Sequence, residues 1–126
     1  MLKAKDIMTK TALTVKRSTP IFDAVEVMVQ NNITGLPVVE DDMKLVGILT
    51  EKDVLGLFYA HEHEKSNTVD YFMTQPVVSF DLKTDLRDIC DCLNNSGFRR
   101  VPVTSRGKVV GIVSRADVIQ YILQTR

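Results

Sequence analysis

The sequence predicts an α/β fold built from two copies of one β-α-β-β-α unit. Motifs recur along the chain at a nearly constant offset, and each copy has an apolar stripe at helical spacing and two apolar runs flanking a polar turn. A unit of about 60 residues buries too little apolar surface to be comfortably stable alone. We therefore expect the two copies to share a core and to pack with pseudo-two-fold symmetry.

The repeat covers nearly the whole chain. Two matched pairs lie 65 residues apart and a third lies 64 apart, so the second copy is one residue shorter between its strands. The pairs are Met8 with Met73, Pro37 with Pro102, and Gly47 with Gly111. We place repeat 1, with the N-terminal segment, at residues 1–62 and repeat 2, with the inter-repeat linker, at residues 63–126.

Each copy opens with a strand and a helix. The strands are predicted at residues 12–15 and 77–80. Thr19 is an expected N-cap because Pro20 follows it at a position where the missing N–H costs nothing, and Thr84 is its counterpart. The helices should end at residues 31–32 and 96–97, where Asn and Gly tolerate a left-handed turn.

Two strands and a second helix complete each copy. The strands of repeat 1 are predicted at residues 36–39 and 44–49, and a tighter turn through Ser105, Arg106 and Gly107 joins those of repeat 2. Pro37 and Pro102 cannot donate ladder hydrogen bonds, so we expect them at strand starts or on an edge. The second helices should open at Thr50 and Ser114.

Composition excludes several classes of protein. Among the 126 residues, 16 basic side chains balance 16 acidic ones, which gives no net field to attract nucleic acid. No apolar run approaches the roughly 20 residues of a membrane span, and the N-terminus lacks the apolar stretch of a signal peptide. The two cysteines, Cys90 and Cys92, are spaced so that they cannot easily bridge, which predicts reduced thiols and a cytoplasmic protein.

The repeated motifs resemble the signature of CBS domains in tandem. A Gly-Ile-Leu-Thr-x-x-Asp run begins at Gly47, and a Gly-Ile-Val-Ser-x-x-Asp run begins at Gly111. Runs of Ile-Thr-Gly-Leu-Pro-Val from Ile33 and Phe-Arg-Arg-Val-Pro-Val from Phe98 fit the same family, as do the Met-Thr pairs that open each copy. Two sets of motifs in matching order carry the resemblance.

The resemblance implies a regulatory module with clefts between the two copies. Such clefts bind AMP, ADP, ATP or S-adenosylmethionine in many members, and the modules often pair into a homodimer. We therefore expect a stand-alone regulatory protein that needs no cofactor, signals by conformational change to an unknown protein target, and has no catalytic residues. The ligand-binding residues that the resemblance implies are Thr19, Ile33, Thr34, Gly35, Thr50, Asp53, Thr84, Phe98, Arg99, Arg100, Ser114, Arg115 and Asp117.

The Thr-x-x-Asp and Ser-x-x-Asp motifs have two interpretations. Asp53 and Asp117 can complete capping boxes with Thr50 and Ser114 at helix starts. A carboxylate also has two acceptor oxygens, which match the two hydroxyls of a ribose. Spacing alone favours the cap, whereas the family resemblance favours the ribose, and both roles are compatible.

The two copies differ where a phosphate would be read. Arg99 and Arg100 offer guanidinium forks suited to phosphate, although a solvated pair is the simpler alternative. Repeat 1 has Thr34 and Gly35 at the matching positions, and Glu51 stands where repeat 2 has Arg115. We expect one site to hold an anionic nucleotide and the other to be weak, empty or selective for an uncharged group. The apolar Ile33 and Phe98 are candidates for an adenine slot, although core packing is the commoner role.

Two other functions remain open. The chain can be a ligand-free structural or protein-interaction module, or a metal- or redox-responsive protein that uses His61 and His63 or the cysteines. Histidines two residues apart do not share a helix face and no further ligands are evident, so we predict no metal site. Cys90 lies on the apolar stripe, which favours a buried and inert thiol.

Overall fold

The fold is α/β, with two three-stranded mixed sheets and helices around them. The computed structural model describes residues 1–10 and 13–126. None of the helices in these residues is long and apolar enough to cross a membrane. The elements are α1 (Ala4–Ile7), β1 (Val15–Lys16), α2 (Ile21–Gln30), β2 (Gly35–Val39), β3 (Leu45–Thr50), α3 (Glu51–Leu55), a 3₁₀ turn (Gly56–Tyr59), a second 3₁₀ turn (Glu64–Ser66), α4 (Val69–Phe72), β4 (Phe80–Asp81), α5 (Leu86–Asn95), β5 (Arg100–Ser105), β6 (Lys108–Ser114) and α6 (Arg115–Gln124).

The chain forms two compact units, and only one of them is continuous in sequence. That unit is Leu13–Val77, and the other joins Met1–Ala12 to Val78–Arg126. Each unit has its own cluster of buried apolar side chains. The cluster of the first includes Ile21, Leu36 and Leu49, and the cluster of the second includes Ile89 and Val113. The boundaries at residues 62 and 63 describe the sequence repeats and stay a prediction, whereas the spatial units follow another division.

Both sheets share one topology. In each, the first strand runs parallel to the central strand and the third runs antiparallel to it. The first strands are shorter than predicted, because only Val15–Lys16 and Phe80–Asp81 pair with the central strands. Of the residues predicted to form the first strand, Ala12 lies outside the described part of the chain.

The two strand prolines lie in central strands, so the prediction of strand starts or edges is wrong. Pro37 faces Ile48 and Pro102 faces Ile112. The backbone N–H and C=O of Ile48 bond to Thr74 on the outer side of β3, at 3.1 and 2.8 Å. They therefore do not bond to Pro37, whose missing N–H would point towards β1, and β1 pairs with β2 only from Val38 onwards. The ladder consequently loses nothing at this proline.

The first helix of each unit begins later than predicted. The N-caps are Pro20 and Asp85 rather than Thr19 and Thr84, and neither side chain caps its helix with a hydrogen bond. The backbone replaces the side-chain cap. The Ile21 N–H donates to the carbonyl of Asn67 at 3.1 Å. The two threonines also act through their backbones, because the Thr19 carbonyl accepts from Val69 N–H at 2.8 Å and the Thr84 carbonyl from Ala4 N–H at 2.9 Å.

The ends of these helices differ between the two units. Asn32 adopts a left-handed conformation with φ 51°, as predicted for the end of α2. Gly97 does not, since the only described glycine with positive φ is Gly107 in the β5–β6 turn. The prediction of a left-handed turn at Gly97 is therefore wrong. At the hairpin, Arg106 and Gly107 have φ 54° and 81°, which fits a tight two-residue turn.

Each Met-Thr segment joins the sheet of the other sequence repeat, which the repeat pattern did not predict. Thr9 exchanges two backbone hydrogen bonds with Ile112, at 2.9 and 3.0 Å. Thr74 makes the same pair of bonds to Ile48. The short helices α1 and α4, which precede these segments, were also absent from the prediction. The segment that opens repeat 1 therefore completes the unit of repeat 2, and the segment that opens repeat 2 completes the unit of repeat 1.

A glycine in each third strand admits the crossing segment. A Cβ atom at Gly111 would lie 2.6 Å from Met8 Sδ and 2.9 Å from the Thr9 carbonyl oxygen. At Gly47 the corresponding distances are 2.6 Å to Met73 Sδ and 3.1 Å to the Thr74 carbonyl oxygen. A methionine side chain can move aside, but a carbonyl held by a backbone bridge cannot easily do so. The absence of a side chain at these glycines is therefore what lets the segments pack.

Gly111→Ala should destabilise the protein by about 1–3 kcal/mol, the usual cost of overpacking. Gly47→Ala should cost less, because its carbonyl contact is 0.2 Å longer, 3.1 against 2.9 Å. Urea unfolding measures both changes. Gly56→Ala is the control, since nothing lies within 4 Å of its added Cβ. Equal unfolding midpoints for Gly111→Ala and Gly56→Ala would contradict the close-packing argument.

Candidate functional site

The two motif aspartates cap the helices that follow the third strands. Asp117 Oδ2 accepts the Ser114 N–H at 2.8 Å, and the Asp117 N–H donates to Ser114 Oγ at 3.1 Å. Asp53 Oδ2 and Thr50 make the equivalent pair of bonds, at 2.9 and 3.2 Å. Both capping boxes are complete. The capping interpretation is therefore confirmed, while the ribose role remains a prediction.

The carboxylates differ in how far their acceptor oxygens are occupied. Thr74 Oγ1 lies 3.0 Å from both oxygens of Asp53, and Thr50 Oγ1 donates a further bond at 2.9 Å. Among residues 1–10 and 13–126, no side chain donates to Asp117, although Thr9 makes the same backbone bridge as Thr74. Asp117 Oδ1 is consequently free to accept hydrogen bonds. Thr74 is a site residue that sequence reasoning missed, because nothing in the repeat shows which sheet the segment joins.

Asp117 also borders a small cavity that opens beside α6. Its volume is about 150 Å³. The residues that line it are Asp6, Ile7, Asp117, Gln120, Tyr121 and Gln124. All of them belong to the unit that joins Met1–Ala12 to Val78–Arg126. The site around Asp117 thus draws on the N-terminal segment as well as on repeat 2.

Arg100 lies opposite this capping box in the register of the sheet. It is the first residue of β5, and its register partner on β6 is Ser114. Its side-chain Nε is buried and has no hydrogen-bond partner among the described residues. A buried donor left unpaired is costly, so this atom calls for an explanation. Arg99, one residue earlier, is exposed.

The Arg115 side chain is bonded to three backbone carbonyls. Its Nε donates to the Phe98 carbonyl at 3.0 Å, and its Nη2 donates to the carbonyls of Leu93 and Ser96 at 2.9 Å each. These bonds hold the end of α5. Its assignment as a ligand contact stays a prediction, and the geometry gives it a different task.

The matching positions in the unit Leu13–Val77 carry no cation. Gly35 is buried and opposite Thr50, and Thr34 is half-buried. Glu51 is exposed at the start of α3. The expected difference between the two repeats is therefore present in the structure as a difference in local charge.

The two apolar candidates have different surroundings. Ile33 is half-buried and packs against the core of its unit. Phe98 is 40% exposed. Phe98 therefore has a free face for a flat ring, whereas much of Ile33 is already used in packing.

Glu64 in the linker is bonded to two neighbouring residues. Glu64 accepts the His61 N–H at 3.0 Å and the Tyr71 hydroxyl at 3.2 Å. These two bonds lower the pKa of Glu64, the backbone bond most, and the bond to Glu64 raises the pKa of Tyr71. Within residues 1–10 and 13–126, no three His, Cys, Asp or Glu side chains are grouped closely enough to hold a metal ion. Cys90 is half-buried rather than fully buried.

The fold and the paired motifs define a protein built from two CBS domains. A model of the CBS domain matches residues 4–60 and 69–124. The chain therefore belongs to the CBS domain family and contains two copies of the domain.

Similar proteins include plant and archaeal members of the family. CBSX1, a chloroplastic CBS domain-containing protein of Arabidopsis thaliana, is 33% identical over 140 residues, which cover 89% of this chain and 59% of the relative. The chain thus spans less than two thirds of that relative's length.

Solved structures match the chain over nearly its full length. The structure of CBSX2 in complex with AMP has a TM-score of 0.88 and 34% identity, covering 98% of each chain. The CBS domain pair of protein MJ0100, in complex with 5′-methylthioadenosine and S-adenosylmethionine, has a TM-score of 0.84 and 26% identity, covering 100% of this chain and 99% of that one. Both of these similar structures hold adenine-containing ligands.

Thr74→Val should lower the free energy of unfolding by about 0.5–1.5 kcal/mol, because it removes the hydroxyl that bonds to Asp53. Thr9→Val is the matched control and should be close to neutral. Thermal unfolding of both variants measures the difference. Equal losses of unfolding free energy in Thr74→Val and Thr9→Val would show that the hydrogen bond from Thr74 to Asp53 does not stabilise the protein.

Proposed function

We propose that the chain is a regulatory, non-catalytic protein that binds an adenine-containing anion beside Ser114 and Asp117. One observation carries the proposal. Among the described residues, Asp117 keeps Oδ1 free of partners, and Arg100, whose Nε is unpaired, is the register partner of Ser114 in the same capping box. A carboxylate acceptor suits the ribose hydroxyls, and a guanidinium suits the phosphate.

The arginines rather than the helix start supply the phosphate donors in this proposal. The Arg115 N–H already bonds to the Arg99 carbonyl at 2.9 Å, and the Asp117 N–H bonds to Ser114 Oγ. Of the first three N–H groups of α6, this leaves that of Ala116. The helix start therefore offers a small part of what a phosphate requires. Arg99 and Arg100 supply the rest.

The site around Asp53 is proposed to be weak for the same anion. Its carboxylate is occupied by Thr50 and Thr74, and no guanidinium accompanies it. A ligand there must displace the Thr74 hydroxyl before it can use both oxygens. We expect an uncharged adenine compound to compete better at this position than AMP.

The signal is proposed to be conformational. A ligand that binds one conformation better than another shifts the population towards it, by no more than its difference in affinity. The target would be a separate protein, and the cytoplasm remains the predicted location. The alternative is a protein-interaction module that binds no ligand. A ligand-binding measurement is enough to distinguish it from the proposed function.

The experiment that tests the proposal is a thermal-shift panel with AMP, ADP, ATP and S-adenosylmethionine, followed by calorimetry. A ligand at 100 times its Kd should add about 2.7 kcal/mol to stability. Stabilisation by an adenine compound supports the proposal. No shift with any of them would favour the interaction module.

Asp117→Ala should lower the affinity for AMP by about 10- to 100-fold, since a hydrogen bond to a charged group contributes about 1.5–3 kcal/mol. Asp53→Ala is the matched control, because it removes the equivalent cap from the other unit, and it should change AMP affinity much less. Calorimetry measures both, with ligand-free melting to confirm folding. Unchanged affinity in Asp117→Ala would show that this residue only caps α6.

We also propose that the protein is a homodimer that pairs through α6. Three large apolar side chains on this helix are exposed, namely Ile119, Ile122 and Leu123. Ile119 and Ile122 also line a groove of about 270 Å³ between α5 and α6, whose other lining residues are Cys90, Leu93, Asn94, Arg115 and Val118. Exposed apolar side chains at the edge of a largely apolar groove are suited to a self-complementary contact.

Ile122→Glu should therefore convert the dimer to monomer at micromolar concentration, because it puts a charge into an apolar contact. Gln124→Glu adds a charge to an exposed position on the same helix, on the face away from these three side chains, and should leave the dimer intact. Sedimentation velocity measures both. A wild-type protein that sediments as a monomer at every concentration would refute the dimer.

A further inference from the structure

The end of α5 lacks the closure that ends α2. In α2, Asn31 N–H and Asn31 Nδ2 both donate to the Val27 carbonyl, and Ile33 N–H returns to the Met28 carbonyl at 3.0 Å. The left-handed Asn32 makes this return possible. At the end of α5, Ser96 is extended, with φ −124° and ψ 174°, and Gly97 is not left-handed. The last carbonyls of α5 therefore need other donors.

Arg115 supplies one such donor, to Leu93 in the last turn of α5, and bonds the chain just beyond the helix. Its side chain makes three hydrogen bonds of 2.9–3.0 Å to the carbonyls of Leu93, Ser96 and Phe98. Its backbone N–H adds a fourth bond, to the carbonyl of Arg99 at 2.9 Å. The planar, multiply donating guanidinium is well suited to several carbonyls at once. One residue of α6 thus fixes the whole connection between α5 and β5.

That connection leads directly into the arginines of the proposed site. Arg99 and Arg100 follow Phe98, and Arg100 already has its buried Nε directed to no partner. A ligand that binds preformed donors does not bear the entropy cost of ordering them. The order of the α5–β5 connection therefore bears on how tightly an anion binds.

We propose that Arg115 is a positioning residue that holds Arg99 and Arg100 in place for the anion and does not itself contact it. This inference rests on the proposed function. It also accounts for the difference between the repeats. Glu51, at the position that matches Arg115, has no donor to offer, and α2 has no need of one because Asn31 and Asn32 close it.

The first arm of the test uses nucleotide-free protein. Backbone order parameters of residues 97–100 should fall in Arg115→Ala from about 0.85, typical of rigid backbone, to about 0.6 or lower. Glu51→Ala is the matched control and should leave residues 32–35 unchanged. Unchanged order in Arg115→Ala would overturn the proposal, since it would show that the guanidinium holds nothing.

The second arm measures AMP binding by calorimetry. Arg115→Ala should lower the affinity for AMP about tenfold. It should lower the affinity for adenosine much less, because adenosine has no phosphate for Arg99 and Arg100 to bind. Arg115→Lys should bind AMP nearly as weakly as Arg115→Ala, because one ammonium group cannot replace the guanidinium. Full AMP affinity in the lysine variant, with residues 97–100 still disordered in the free protein, would instead indicate a direct phosphate contact and overturn the positioning role.

The two arms separate failure of the inference from failure of the proposed function. If wild-type protein binds no AMP, the proposed function is wrong, and the order parameters still decide whether Arg115 holds the connection. If wild-type protein binds AMP, and Arg115→Ala loosens the α5–β5 connection without lowering the affinity for AMP, the positioning role is overturned while the proposed function stands.

Discussion

The close approach between a methionine-threonine segment and a glycine in a third strand is the constraint on which both units depend. A Cβ atom at Gly47 or Gly111 would lie 2.6–3.1 Å from a methionine Sδ and from a threonine carbonyl oxygen of the segment. The bridge itself uses the N–H and C=O of Ile48 or Ile112. Because these groups point away from the central strand, the proline opposite them has no hydrogen bond to make with the third strand. Glycine, bridge and proline are therefore parts of one arrangement, repeated in each unit.

Much of this fold was predictable from local patterns. The apolar stripes of α2 and α5, the capping boxes at Thr50 and Ser114 and the tight turn at Gly107 follow from short stretches of sequence. The exchange of the Met-Thr segments was not predictable. A segment of four or five residues has too little pattern to show which of two similar sheets it joins.

The candidate site was predictable in its residues but not in their tasks. Asp53 and Asp117 occupy identical motifs, yet one is bonded by Thr74 and the other keeps an open oxygen. That difference depends on a hydroxyl from a distant part of the chain. Likewise, Arg115 was chosen for its charge, and the structure uses its geometry to close a helix whose end lacks a left-handed residue. Sequence spacing reveals that a polar group is present. Which of its hydrogen-bond donors and acceptors remain unpaired depends on its neighbours in the folded protein.

The discontinuous unit has a consequence for the connectivity of the chain. The polypeptide passes between the units twice, near residues 12 and 77, and only the order of the segments along the chain makes one unit discontinuous. Circular permutation, with residue 126 linked to residue 1 and a new opening between residues 77 and 78, would make both units continuous. One sequence repeat alone would lack the Met-Thr segment that bridges its third strand. The covalent link between the repeats therefore keeps each sheet and its bridging segment in one molecule.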